Sequence, residues 1–281
     1  MWTLDVQEVG DLDADLTTAL TYADQTAVYA LSADERAAIH VVYDLYEAML
    51  GQPAPGLTPV ELEAARPFLR AAYGQVQVGR RLSQLRARIL ASAQSCPYCG
   101  FGEVRDLDHY LPRSTYGELA IHPRNLVPSC SPCNNAKRAV YPGMPAAQGP
   151  GLIHAYFQHL PDEDFLKADV AFAADGTLSV AFRIDNPGMD AGLAAKLDFQ
   201  LTRLKLNDRY RAQVNKFLSE QRTAMLTIHE MGASVFSDYL ARSSAGLVAS
   251  FGRNDWRVAL LRGLASDPAF CAAPEAYLGA A

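Results

Sequence analysis

The sequence predicts a mainly α protein with a small metal-bound core near its middle and an additional β-hairpin in its C-terminal region. Apolar residues recur at three- and four-residue spacing over most of the chain, which is typical of amphipathic helices. Two Cys-x-x-Cys pairs indicate a metal site, and one stretch of apolar–polar alternation indicates paired strands. With 281 residues, 49% of them hydrophobic and 20% charged, the composition excludes a disordered chain.

The first 93 residues predict a helical region. Helical periodicity runs through residues 13–50, and Ser32 followed by Glu35 fits a capping box, in which each residue satisfies a backbone amide of the first turn. Pro59 begins a second helical stretch, because proline at the first helical position loses no hydrogen bond. We expect this second stretch to continue to residue 93, with Gly74 as a possible break.

Charge is distributed unevenly along this region. Residues 1–63 hold twelve acids and one base, whereas residues 64–93 hold six arginines and no acid. The net charge of the whole chain, −6, does not by itself indicate a nucleic-acid-binding protein. A basic helix over residues 64–93 could be a face exposed to solvent, or a surface that contacts the phosphates of a nucleic acid. We favour phosphate contact, because no acidic residue in this stretch neutralises the arginines. The expected contacts are Arg80, Arg81, Arg86 and Arg88.

Four of the five cysteines form two Cys-x-x-Cys pairs, Cys96 with Cys99 and Cys130 with Cys133. In a chain without a signal-peptide pattern, this spacing indicates metal binding rather than disulfides. Two such pairs can close a tetrahedral thiolate site around a structural Zn²⁺, which would hold the base of the thirty-residue insert between them. Because the sequence also lacks a membrane-spanning pattern, we expect a reduced, cytoplasmic protein.

The insert contains Asp108 and His109, followed by Pro112. A neutral imidazole can take a proton from water, and a carboxylate can bind a hard divalent cation, so the pair suits phosphodiester hydrolysis. An isolated Asp-His dipeptide is more often a surface feature without a function. The residues around this pair therefore have to distinguish a catalytic pair from a surface pair. Further along the insert, His122 fits an exposed loop histidine.

The segment over residues 95–143 resembles the HNH endonucleases, which form the ββα-metal or His-Me finger superfamily. The resemblance rests on elements in a fixed order: the two cysteine pairs, Asp-His-x-x-Pro, Asn-Leu-Val-Pro and Cys-Asn-x-x-Lys. It implies a small, zinc-stapled ββα-metal nuclease core over residues 94–145. In that family His109 would be the general base, Asp108 a ligand of the catalytic cation, and Asn125 the brace of the loop that holds the base.

The same resemblance assigns the residues after the last cysteine. Asn134 would be the second ligand of the catalytic cation, and Asn135 is the alternative. An amide oxygen at this position favours Mg²⁺ or Mn²⁺ over zinc. Lys137 and Arg138, further along the same predicted helix, are expected to contact phosphate.

Residues 146–281 predict a helical region that includes one β-hairpin. Apolar and polar residues alternate over 169–184, on both sides of Asp175 and Gly176, a dipeptide that favours a two-residue turn. Helical periodicity resumes after the hairpin and continues to the end of the sequence. Cys271, outside the two pairs, fits a small buried hydrophobe.

These observations predict a metal-dependent HNH endonuclease that cuts DNA, or alternatively RNA. The second hypothesis is a zinc-stapled nucleic-acid-binding module without catalysis. Residues 204–211 are also similar to nucleases that accompany antiphage ATPases, such as the Septu system, and this similarity implies an effector of antiphage defence. The acidic N-terminal helices would then contact the ATPase partner, since the sequence has no Gly-x-x-x-x-Gly-Lys phosphate-binding loop of its own.

Overall fold

The computed structural model describes residues 3–145, 148–172, 177–185 and 187–278. The chain forms two compact units, one over residues 3–159 and one from Leu160 onward. Helices dominate the described residues, and the strands there form two short antiparallel pairs, which confirms the predicted mainly α fold. None of the described helices is long and apolar enough to cross a membrane.

The first unit opens with two helices, α1 Leu12–Ala19 and α2 Ala33–Ala48. Ser32 and Glu35 form the predicted capping box at the start of α2. Between the two helices, the carboxylate of Asp24 accepts hydrogen bonds from the backbone amide and the hydroxyl of Thr26. This turn interrupts the helix that the sequence predicts over residues 13–50.

The arginine-rich stretch forms several short segments. Two 3₁₀ turns, Pro55–Leu57 and Val60–Leu62, precede it. Helix α3 Arg66–Ala72 runs into a 3₁₀ turn at Tyr73–Val76, and α4 Ser83–Ala91 follows after a non-helical gap. Gly79 lies in this gap with φ +73°, a left-handed conformation that glycine adopts without strain. The prediction of one basic helix over 64–93 is therefore wrong.

The middle of the first unit has a ββα arrangement. Its elements are β1 Asp106–His109, β2 Leu126–Ser129 and α5 Ser131–Lys137. The strands pair antiparallel, with Asp106 opposite Ser129 and His109 opposite Leu126. Helix α5 packs against β1, and β2 is buried along its whole length. The connection between the strands contains 3₁₀ turns at Gly117–Leu119 and Pro123–Asn125. The predicted small ββα core is confirmed.

The second unit combines a hairpin with helices. Strands β3 Leu166–Phe172 and β4 Leu178–Ile184 pair antiparallel, so the predicted C-terminal hairpin is confirmed and begins three residues earlier than expected. The predicted turn at Asp175 and Gly176 lies outside the described residues. The helices are α6 Ala191–Arg203, α7 Leu206–His229, α8 Ala233–Phe251, α9 Trp256–Ala265, α10 Pro268–Ala272 and α11 Glu275–Leu278.

Helix α9 packs directly on strand β3. A Cβ added at Gly263 would lie 2.6 Å from the carbonyl oxygen of Ala168, so this approach requires glycine. Asn254, just before α9, accepts hydrogen bonds through its side-chain oxygen from the backbone amides of Phe165 and Leu166. The start of the hairpin is thereby fixed to the helices of its own unit.

Candidate metal centre and active site

The four paired cysteines come together in the first unit. Their sulfur atoms lie within 4.8 Å of one another, and all four side chains are buried. The backbone amide of Gly102 donates to Sγ of Cys99 at 3.3 Å, and a Cβ at Gly102 would lie 2.7 Å from Sγ of Cys130. Glycine is therefore required for this close approach. Four converging thiols with no open position fit a structural zinc ion.

His109, at the end of β1, is half-buried and has a defined tautomer. Its Nε2 lies 2.9 Å from the carbonyl oxygen of Ala120. Because a carbonyl only accepts hydrogen bonds, Nε2 must carry the proton, and Nδ1 keeps a free lone pair. Burial lowers the pKa of His109 to about 3, and the positive charges of Arg113 and Lys137 act in the same direction. The imidazole is therefore neutral at neutral pH.

Asn125 connects the two ends of the loop between β1 and β2. Its side-chain amide donates to the carbonyls of Leu111 and Leu119, and its side-chain oxygen accepts from the amide of Leu111 at 2.8 Å. The side chain is fully buried. Residue 119 directly precedes Ala120, so these hydrogen bonds also fix the carbonyl that orients His109.

Asp108 and Lys137 form a buried ion pair. Nζ of Lys137 lies 3.1 Å from Oδ1 and 3.0 Å from Oδ2 of Asp108, and it also donates to the backbone oxygen of His109 at 2.8 Å. Oδ2 of Asp108 accepts a further hydrogen bond from the hydroxyl of Tyr98. Burial raises the pKa of Asp108, whereas Lys137 and Tyr98 lower it. Lys137 is fully buried, so the prediction that it contacts phosphate is wrong.

Asn134 is directed toward a different carboxylate. Its Nδ2 donates to Oδ2 of Asp106 at 3.2 Å, and both residues are half-buried. Asn135, the alternative from the sequence, is exposed, as is Arg138 at the end of α5. The structure therefore places Asn134 beside Asp106, at one end of β1, while Asp108 is bonded to Lys137.

Comparison with known proteins identifies this core. Residues 96–139 match the family model of the HNH endonucleases. Protein ea31 of Escherichia phage lambda is 30% identical over 138 residues, which make up 47% of this chain and 45% of that protein. The chain thus spans less than half the length of this relative. No solved structure matches the chain. The predicted resemblance to HNH endonucleases is confirmed, and the similarity to Septu nucleases stays a prediction.

The HNH core does not present the ligand set that the resemblance implies for a catalytic cation. Both oxygens of Asp108 already contact protein donors, one of them the ammonium of Lys137. A divalent ion at Asp108 would have to displace the ammonium of Lys137 from this carboxylate. Asn134 meanwhile turns its amide nitrogen to Asp106. In this arrangement, Asp108 and Asn134 do not fit a shared Mg²⁺ or Mn²⁺.

Two of the four arginines that were expected to contact phosphate donate to backbone oxygens instead. Arg81 donates to the backbone oxygens of Thr21 and Tyr22, and Arg86 donates to the backbone oxygen of Arg105. The predicted phosphate contacts of these two side chains are therefore not supported, because their guanidinium groups already have partners. Arg80 and Arg88 are exposed and remain candidates for phosphate contact.

The site contains two further residues that the sequence motifs do not indicate. The ring of Tyr73 packs edge-on against His109 with centroids 4.4 Å apart, and the guanidinium of Arg113 lies over the same ring, 5.0 Å from its centroid. Arg113 follows His109 by four residues and could have been noticed for that reason. Tyr73 lies in the arginine-rich stretch, and no sequence signal connects it with His109.

His122 is the clearest error among the histidines. The sequence predicts an exposed loop residue, but the side chain is buried and packs edge-on against Tyr43 and Tyr46, with centroid distances of 4.7 and 5.3 Å. Neither ring nitrogen has a hydrogen-bond partner among the described residues. Aromatic packing from α2 therefore encloses a histidine that local sequence places in a loop.

Proposed function

We propose that the HNH core hydrolyses phosphodiester bonds in DNA, with His109 as the general base that activates water. The observation that carries this proposal is the tautomer of His109, whose Nε2–H is committed to the Ala120 carbonyl while Nδ1 keeps its lone pair. The residue is half-buried and therefore keeps part of its surface open to solvent.

In the proposed reaction, Nδ1 of His109 removes a proton from water as the water oxygen attacks phosphorus. A bond forms between that oxygen and phosphorus, and the bond from phosphorus to the leaving sugar oxygen breaks with its electron pair. The leaving oxygen takes a proton from solvent. The imidazolium then releases its own proton to solvent, which regenerates the neutral base.

Asn125 supports this reaction as a positioning residue. Its hydrogen bonds to Leu111 and Leu119 hold the loop whose next residue, Ala120, orients His109. A base is effective only when its lone pair is directed at the proton it removes. We therefore expect Asn125→Ala to slow the reaction less than loss of His109 itself.

We also propose that the reaction requires Mg²⁺ or Mn²⁺, because a hard cation neutralises the charge of a phosphodiester. The ligand role that the resemblance gives to Asp108 would require Lys137 to leave that carboxylate. The steps above therefore use only the protein's own groups, and zinc is proposed as a structural ion.

Plasmid nicking tests the catalytic proposal. His109→Ala should lower the nicking rate by roughly 10²–10⁴-fold, because it removes only the base. His159→Ala is the matched control, since His159 is an exposed histidine of the same unit. Zinc content and DNA affinity should be unchanged in both variants. If His109→Ala cuts as fast as wild type, the assignment of the base is wrong.

The second hypothesis is a zinc-stapled module that binds nucleic acid without catalysis. The oriented His109 with an open Nδ1 favours the enzyme, because a binding module needs no such base. A wild-type protein that binds DNA but nicks no plasmid with Mg²⁺ or Mn²⁺ would favour the module. Parallel assays with RNA decide which nucleic acid is the substrate.

The similarity at residues 204–211 further leads us to propose a cytoplasmic effector of antiphage defence, gated by an ATPase partner. The acidic N-terminal helices would provide the contact surface. Nicking should then increase when the product of the neighbouring gene is added together with ATP. Full activity of the chain alone, unchanged by that product, would contradict the gating.

A further inference from the structure

Arg113 is an exposed cation in the immediate surroundings of His109. Its guanidinium lies over the ring of Tyr73, 5.0 Å from the ring centroid. Within the described residues, no carboxylate or carbonyl accepts a hydrogen bond from this side chain. The N–H donors of Arg113 are thus available to a ligand, while the aromatic face restricts where the guanidinium can lie.

Tyr73 links this cation to the catalytic strand. Its hydroxyl donates to the backbone oxygen of Leu107 in β1 at 3.2 Å, and its ring packs edge-on against His109. One aromatic side chain therefore contacts both the proposed base and the available guanidinium. An arginine held in this way loses less side-chain entropy when it binds an anion.

Two other bases near the site are already engaged. Lys137 is buried against Asp108, and Arg66 pairs with the buried carboxylate of Glu118 at 2.6 Å. A guanidinium matches the two non-bridging oxygens of a phosphodiester through paired N–H groups. Arg113 therefore has the chemistry, the accessibility and the position that binding of a substrate phosphate requires.

We propose that Arg113, held over the ring of Tyr73, binds the backbone phosphate at which His109 acts. This inference rests on the proposed nuclease function and names the group that recognises its substrate. Tyr73 is a positioning residue in this assignment, because it acts by holding Arg113 in place.

The first test measures binding in a His109→Ala background, in which cleavage is strongly slowed. Arg113→Gln should weaken the affinity for a fluorescent DNA duplex and lower the salt dependence of binding by about one phosphate contact. Arg242→Gln is the matched control, since Arg242 is an exposed arginine on α8 in the other unit. Tyr73→Leu should reproduce much of the Arg113→Gln effect, and the two changes together should cost less than their sum.

The second test measures nicking with His109 intact. Arg113→Gln should lower the rate roughly 10²–10³-fold, the range for loss of a donor to transition-state charge, and Arg113→Lys should restore part of it. Unchanged affinity, salt slope and nicking in Arg113→Gln would overturn the proposal. So would a loss of nicking that leaves the salt slope unchanged and that Arg113→Lys does not restore. If the wild-type protein never cuts DNA, but Arg113→Gln still weakens DNA binding and lowers its salt dependence, the proposed nuclease function is wrong and the proposed phosphate site is supported.

Discussion

Nζ of Lys137 lies 3.0 Å from Oδ2 of Asp108, and both side chains are almost completely shielded from solvent. The pair joins helix α5 to strand β1 at the residue that precedes the proposed base. Removal of one partner from such a pair leaves an uncompensated charge in a low-dielectric interior, which is far more costly than the net contribution of the pair itself.

Lys137→Met should therefore destabilise the protein by about 3–5 kcal/mol. Chemical denaturation monitored by circular dichroism measures this loss. Lys216→Met is the control, since Lys216 is exposed on α7 and should change stability by less than about 0.5 kcal/mol. The double variant of Asp108→Asn with Lys137→Met should lose less stability than the sum of the two single variants. Additive losses would contradict a direct coupling.

The zinc site gives a second prediction. Cys96→Ser should abolish stoichiometric zinc and unfold the ββα core, because metal binding supplies folding free energy in so small a unit. Cys271→Ser is the control, since this buried cysteine lies in the second unit and outside the cluster. Elemental analysis measures the zinc content of both variants, and circular dichroism measures whether they are folded. Wild-type protein purified without chelator and free of zinc would refute the assignment.

The HNH core was predictable because its residues act locally. Each Cys-x-x-Cys pair and the Asp108-His109 pair is a short motif with a recognisable spacing, and the segments that carry these motifs form the expected strands and helix. The contacts that set the charge of Asp108 and the orientation of His109 come from residues far away in the sequence. Lys137 reaches Asp108 across twenty-nine residues, and Tyr73 reaches His109 from a separate segment. Pairings of this kind depend on tertiary packing, which periodicity and spacing do not encode.

The arginine-rich stretch, residues 64–93, is a second place where tertiary contacts could not be predicted from the sequence. Its lack of acids predicted a basic surface, but the segment is not one helix, and Arg81 and Arg86 donate to backbone oxygens. Composition gives the charge of a segment, whereas the turn geometry decides which of those charges remain available to a ligand.

Arg86 tests this revised interpretation. Arg86→Gln should cost about 1 kcal/mol of stability, because the backbone oxygen of Arg105 loses a charged donor. The affinity for DNA and its salt slope should stay at wild-type values. Thermal denaturation and duplex binding, measured on the same preparation, separate the two effects. Weaker DNA binding with unchanged stability would instead support the original prediction that Arg86 contacts phosphate.

The last prediction concerns the stability of the fold in acid, to which we expect His122 to contribute together with His109, because burial lowers the pKa of both histidines to about 3. Burial lowers the pKa of His122 from its ordinary value of 6.5 to about 3, and the charge of Arg124 acts in the same direction. Oε1 of Glu47 lies 3.4 Å from Nε2, but burial outweighs this neighbour. Between pH 6.5 and 3 the unfolded chain therefore binds a proton that the folded protein does not. The contribution of His122 to stability is complete above pH 6.5 and is lost as the pH falls toward 3.

The free energy of unfolding should accordingly fall by up to about 1.4 kcal/mol per pH unit from this group as the pH is lowered below 6.5. His122→Phe should lower stability only slightly at pH 7.5, because neither ring nitrogen has a hydrogen-bond partner among the described residues. It should also flatten the loss of stability between pH 6.5 and 4. His159→Phe, at an exposed position, should leave the profile unchanged. Urea denaturation at a series of pH values makes the comparison, and equal slopes in wild type and His122→Phe would show that another group causes the acid sensitivity.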